Sequence, residues 1–152
     1  MQAVLREGGR AVELAPEVGA YHALLVSAIA GGLPSPALAR SPGREEALAV
    51  ARVHAEAALR LDEKKENAAL ELARIEWLAG HLEAAEAQAR ASIAVDRCFY
   101  QSHQVLAFLL LARGRLEEAR EEAVAVERLG AGAEAARLRQ LLEEAGSQGA
   151  ER

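Results

Sequence analysis

The sequence predicts an all-α fold: an α-solenoid of helix–turn–helix repeats closed by a C-terminal capping helix. Three observations predict it. At an offset of 34 residues, Leu72 falls on Leu106, Ala73 on Ala107, Gly80 on Gly114, Leu82 on Leu116, Glu83 on Glu117, Ala85 on Ala119, Ala89 on Ala123 and Ala91 on Ala125. A fixed period of that size is the mark of a stacked helical array. Each copy consists of two apolar-periodic stretches separated by a glycine. The chain is 51% hydrophobic but only 3% aromatic, so its apolar share is mostly the helix formers Ala and Leu.

The repeat has a physical logic. Two helices that cross closely need small residues at the crossing, and Ala73 and Ala107 on each first helix (helix A) are set to meet Ala85 and Ala119 on each second helix (helix B). Gly80 and Gly114 end helix A, where a left-handed residue is needed. Leu72, Ile75 and Leu78, and then Leu106 and Leu109, keep the spacing of an amphipathic face. Leu-Ala, then six residues, Gly-x-Leu-Glu-x-Ala, then three residues and Ala stand at 72–89 and again at 106–123. This string resembles the tetratricopeptide repeat (TPR) family. The resemblance implies a right-handed superhelix whose A helices line a concave face that binds a peptide segment or partner helix, with no catalysis of its own.

Taken in order, residues 3–15 read as a helix ending before Pro16, and Ala11-Val-Glu-Leu-Ala-Pro16 resembles the close of a family helix B. The chain therefore opens on a half repeat, either a divergent cap or a shortened piece of a longer array. Residues 17–62 form the first repeat, with helix A over 17–30. The stretch 31–43 holds three of the four prolines and reads as an inserted loop, either a plain surface loop or a partner-contact flap. Ser41-Pro42 then looks like an N-cap followed by proline at the first helical position. Helix B runs over about 43–61 and closes on Ala58-Leu-Arg-Leu-Asp62, as the family does. The second repeat spans 65–96 and the third 99–130. The string Gly130-Ala-Gly132 is expected to break the array. Residues 133–145 then form a capping helix, with Leu138, Leu141 and Leu142 inward and Glu134, Arg137, Arg139, Glu143 and Glu144 outward. Residues 146–152 read as a flexible tail.

Composition narrows the function classes. The formal charge of −5, with no basic stripe or aromatic platform, argues against nucleic acid as a partner. No apolar run is long enough for a membrane span. The single Cys98 excludes an internal disulfide and fits a reducing cytoplasm. Arginine outnumbers lysine 16 to 2, as in a GC-rich bacterium. No glycine-rich phosphate loop, zinc-type cysteine pair or Gly-x-Ser-x-Gly elbow is present. His22, His54, His81 and His103 show no metal-ligand spacing along a helix, although His22 and His103 hold equivalent places in the first and third A helices. Neither a catalytic residue, a metal nor a cofactor is implied.

The resemblance places the groove residues. In the second repeat they are Asn67, Leu70, Arg74 and Trp77, with Glu71 nearby. In the third they are Gln101, Gln104, Phe108 and Leu111, and in the first Ala20, Ala23 and Ser27. Trp77, the only tryptophan, is either a groove anchor or core. It stands one residue past the place where the family usually buries a tyrosine, and Glu76 occupies that place. The Lys/Asn/Asn/Lys/Arg set that holds a carboxy-terminal carboxylate in some TPR proteins is replaced by Ala23, Ser27, Glu71, Gln101 and Val105. The ligand implied is instead an apolar segment with some acidic side chains, docking near Arg74. Two functions follow: an adaptor or scaffold for another protein, or a structural homo-oligomer assembled through its terminal helices.

Overall fold

The computed structural model describes residues 9–17, His22, 44–61 and 65–150. The expected inserted loop, most of the first A helix and the sites assigned to Ala20, Ala23 and Ser27 lie outside the described residues. The described residues form helices and turns and no strand. After a helical stretch at 9–14 come α1 (Arg44–Leu61), α2 (Lys65–Ala79), α3 (Leu82–Val95), α4 (Tyr100–Ala112), α5 (Leu116–Arg128) and α6 (Gly132–Ala150). Each helix packs on the next. In addition α2 packs on α4, and α4 on α6, whereas α1, α3 and α5 do not pack on one another. The A helices thus form one continuous layer, and the B helices stand apart behind it.

The alanines expected at the crossings are where the backbones meet: Ala73, Ala85, Ala107 and Ala119 are all fully buried. Around them one cluster joins Leu70, Val105, Leu106, Leu109 and Leu110 to Val126, Leu138 and Leu142. A second joins Leu48, Ala51 and Ala55 of α1 to Leu72 and Ile75 of α2.

Three turns share one geometry. Gly80, Gly114 and Gly130 have φ of +85°, +71° and +89°. Each glycine N–H donates to the carbonyl three residues back, on Trp77, Leu111 and Glu127, at 2.9, 3.0 and 3.0 Å. The next N–H donates to the carbonyl five residues back, on Glu76, Leu110 and Val126, at 2.9, 2.9 and 3.2 Å. This is the paired Schellman closure of a helix C-terminus. The string Gly130-Ala-Gly132, expected to break the array, repeats that turn instead, and α6 follows from Gly132. Because it packs on both α5 and α4, α6 takes the place of a further A helix. It runs on to Ala150, so 146–150 are helical where a flexible tail was expected. The α3–α4 connection differs: Asp96 Oδ1 accepts from the Cys98 N–H at 2.8 Å, making the turn without glycine.

Polar groups lock the repeats together. Ser92 and Ser102 are fully buried. Ser92 Oγ donates to the Glu66 carbonyl at 2.6 Å and accepts from Ser102 Oγ at 2.6 Å, tying α3 to both neighbouring A helices. Glu76, buried at the end of α2, accepts from Arg52 Nη2 of α1 at 2.8 Å and from His81 Nδ1 at 2.8 Å. One repeat later the polarity reverses. Glu86 of α3 stands 34 residues after Arg52 and accepts from Arg113 at 2.7 Å, Arg115 at 2.8 Å and Arg90 at 2.9 Å. Burial alone would raise the Glu86 carboxyl, but hydrogen bonds from Arg90 and Arg115 and their charges hold it below its usual range.

His22 and His103 make matching contacts. His103 Nε2 donates to the Arg97 carbonyl at 3.1 Å and its Nδ1 faces Glu122 Oε2 on α5 at 2.7 Å. His22 Nε2 donates to the Pro16 carbonyl at 2.9 Å, and its Nδ1 lies 2.9 Å from Nδ1 of His54 on α1. With its Nε2 proton committed to Pro16, a neutral His22 accepts through Nδ1, so His54 donates. Burial, and then the neighbouring His22, push the His54 imidazole below its usual value of 6.5.

Two predictions follow from this fold. A Cβ at Gly114 meets nothing within 4 Å, so its requirement is backbone conformation alone. Gly114→Ala lowers unfolding free energy by about 1–2 kcal/mol, and Gly114→Asn by less, read by denaturant titration. For His54, folding favours the neutral ring, so the unfolded chain takes up the extra proton as pH falls below 6.5. Stability therefore drops between about pH 7 and pH 5.5, and His54→Gln, which keeps a donor for His22 but cannot titrate, shows a shallower fall in melting temperature over that range.

Candidate functional site

The inner layer is where side chains are neither core nor plain surface. On α2, Leu70, Ala73 and Trp77 turn toward the larger apolar cluster, and Leu72, Ile75 and Leu78 toward the smaller one. At 3.6 residues per turn, the arc left between them carries Asn67, Glu71 and Arg74. Asn67 and Arg74 are half-buried. On α4, Gln101, Gln104, Phe108 and Leu111 are half-buried, as are Tyr100 and His103. The structure therefore gathers most of the residues assigned to the groove on two adjacent A helices.

Leu70 is the correction. It is 2% exposed and belongs to the core, because α4 packs directly over that face of α2. It has no surface to offer a ligand. Ser27 lies outside the described residues.

Trp77 is neither fully core nor fully exposed. It is half-buried, rests on the core, and stacks on Phe108 with ring centroids 6.2 Å apart and planes 18° from parallel. That spacing is an offset stack. It bridges α2 and α4 across the inner layer and leaves part of both rings in the open. Glu76, one residue earlier, points the other way into the Arg52–His81 junction. That is why the helix register holds with a carboxylate at this position.

The charged pair in the groove was not foreseen. Arg74 Nη1 donates to Glu71 Oε1 at 3.0 Å. Glu71 is 9% exposed, and among the described residues no group donates to its Oε2. Burial pushes the Glu71 carboxyl above its usual range, against the opposing pull of the Arg74 charge. The charge on Arg74 that would draw acidic side chains is thus already matched. The signal was present in the sequence, since opposite charges three residues apart on a helix are neighbours. Sequence reasoning also missed that α6 continues the inner layer. Arg139, on one flank of α6, donates to Glu127 of α5 at 2.7 Å, and the opposite flank carries half-buried Glu134 and Leu141.

Among solved structures, the chain is similar to a thermophilic TPR protein of Thermus thermophilus, with a TM-score of 0.76 at 21% identity over 93% of this chain and 70% of that one. This is a TPR fold. No family model and no curated protein matches the chain by sequence. The inner layer of the fold here is α2, α4 and α6. No helix of the described residues is long and apolar enough to cross a membrane.

Within this TPR layer, the aromatic stack couples two helices. A double-mutant cycle of Trp77→Ala and Phe108→Ala should return a coupling of about 0.5–1.5 kcal/mol. Phe108→Ala alone should shift the emission of the only tryptophan to longer wavelength as its ring gains water.

Proposed function

We propose that this chain is a non-catalytic protein-interaction module that holds a peptide segment or partner helix on the inner face of α2, α4 and α6. The single observation that carries the reading is the half-buried Trp77–Phe108 stack joining α2 and α4. Large, stiff aromatic rings gain contact area at small entropic cost, and such residues dominate binding energies. Around the stack, Asn67, Gln101 and Gln104 offer amides that both donate and accept, which suits a main chain running along the layer. The alternative, end-to-end assembly, gains nothing from α6, whose outer face presents exposed Arg137, Arg139, Gln140, Glu143 and Glu144.

The test compares two double variants in affinity capture from a bacterial lysate, each first shown to be helical by circular dichroism. Trp77→Ala with Phe108→Ala should reduce retention of the captured protein about 30-fold, the loss expected on truncating a binding hot spot. Glu117→Ala with Glu121→Ala, on exposed positions of α5, should leave it unchanged. The reverse pattern would move binding to the outer face and refute the proposal.

A further inference from the structure

Three of the six large apolar side chains left exposed among the described residues lie on one helix, α1: Val50 at 43%, Val53 at 62% and Leu61 at 44%. Leu48, Ala51 and Ala55 of α1 are buried against α2. At 3.6 residues per turn, the opposite side of α1 carries Glu46, Ala49, Val53, Glu56 and Arg60, all exposed, with Val50 on one flank. Steps of three and four residues that alternate over two heptads make a seam along which one helix lies on another. Among the described residues no ion pair engages Glu46, Glu56 or Arg60. Two repeats later, exposed Glu117 and Glu121 of α5 stand where Ala49 and Val53 do. The same place on the array is thus built for water on α5 and is apolar on α1.

We propose that this stripe docks on the same stripe of a second copy, with the two α1 helices antiparallel about a two-fold axis at Val53. The order of residues carries the proposal, because the stripe is complementary to itself. On the axis, Val53 meets the partner's Val53. Glu46 stands seven residues before Val53 and Arg60 seven after. An antiparallel pair therefore sets Glu46 against the partner's Arg60, and symmetry makes that pair twice. Val50 lies against the partner's Ala57. Glu56 crosses the partner's Ala49, whose small side chain lets the glutamate stem pass while its carboxylate stays in water. A parallel pair would instead put Glu46 on the partner's Glu46 and Arg60 on the partner's Arg60, so charge selects the antiparallel one. The seam covers about 21 Å of helix. A contact of that extent gives a reversible dimer and not an obligate one. The proposal goes beyond the inner-face reading and does not rest on it. α1 is a B helix behind the inner layer, so the pairing leaves α2, α4 and α6 open and joins two inner faces in one particle.

Sedimentation equilibrium of the full chain tests this, over about 10 µM to 1 mM, where a small interface dissociates. The wild type should move from monomer toward twice its mass of 16.2 kDa as concentration rises. Val53→Glu sets like charges on the axis and should leave the chain monomeric. Glu46→Lys alone and Arg60→Glu alone each put like charges at both ends of the seam and should weaken association about tenfold. Combining Glu46→Lys with Arg60→Glu restores opposite charges and should return the dimer to within about threefold of the wild type. The replaced side chains are exposed, and circular dichroism checks that each variant stays helical. Trp77→Ala with Phe108→Ala should dimerise as the wild type does. A wild type that stays monomeric throughout, a dimer that survives Val53→Glu, a double exchange no tighter than either single one, or association lost with the Trp77 and Phe108 pair overturns the proposal.

Discussion

The close crossing of the two helices in each repeat is the constraint on which the rest of the structure depends. Ala73 against Ala85 and Ala107 against Ala119 bring backbones together with almost no side chain between them. Alanine loses no rotamer entropy on burial, but it also removes little apolar area from water. The core is correspondingly lean, and its largest fully buried side chains are Ile75, Leu106, Leu109, Leu110 and Leu138. No single pair of helices can bury enough on its own. Stability has to accumulate along the stack, as in other solenoids, and the third Schellman turn at Gly130 matters for that reason. It delivers α6 onto α4 and α5, covering an apolar face that would otherwise meet water.

A lean apolar core is poorly discriminating, since one alanine surface fits another. The polar junctions supply what it lacks. At the same place in successive repeats, Arg52 faces Glu76 whereas Glu86 faces Arg113 and Arg115. Slipping the array by one repeat would set Arg52 against Arg113 and Arg115. That juxtaposes like charges and strands buried glutamates without partners, which costs several kcal/mol. Ion pairs of this kind contribute little net stability in their correct pairing, and their effect lies in the penalty on wrong ones.

The fold was legible because its determinants are local. The glycines at 80 and 114, the alanines at the crossings and the 34-residue offset each dictate one backbone feature, and all agree. Gly130 was misread because its neighbour Gly132 suggested a break, whereas a left-handed closure needs only the first glycine. The site was legible by half. Which residues share a helix face follows from periodicity, and that put Asn67, Arg74, Trp77, Gln104 and Phe108 on the inner layer. How deeply each sinks depends on the neighbouring helix, which periodicity does not describe. Leu70 went under α4, and Glu71 sank beside it. The His22–His54 contact lies further out of reach, because a long insertion separates its partners in sequence and hides their kinship with His103 and Glu122.

The inner layer also shows why binding and packing need not compete here. A helices must touch one another to close the layer, and that contact uses Leu70, Val105 and Leu106, which lie at or near full burial. The next positions around each helix pack on one side and stay partly open on the other. They carry half-buried aromatics and amides on surfaces already held in place. Trp77 and Phe108 steady each other before anything binds, so little ordering is left to do on association. A stack already ordered in the free chain is a better argument for recognition than exposure alone.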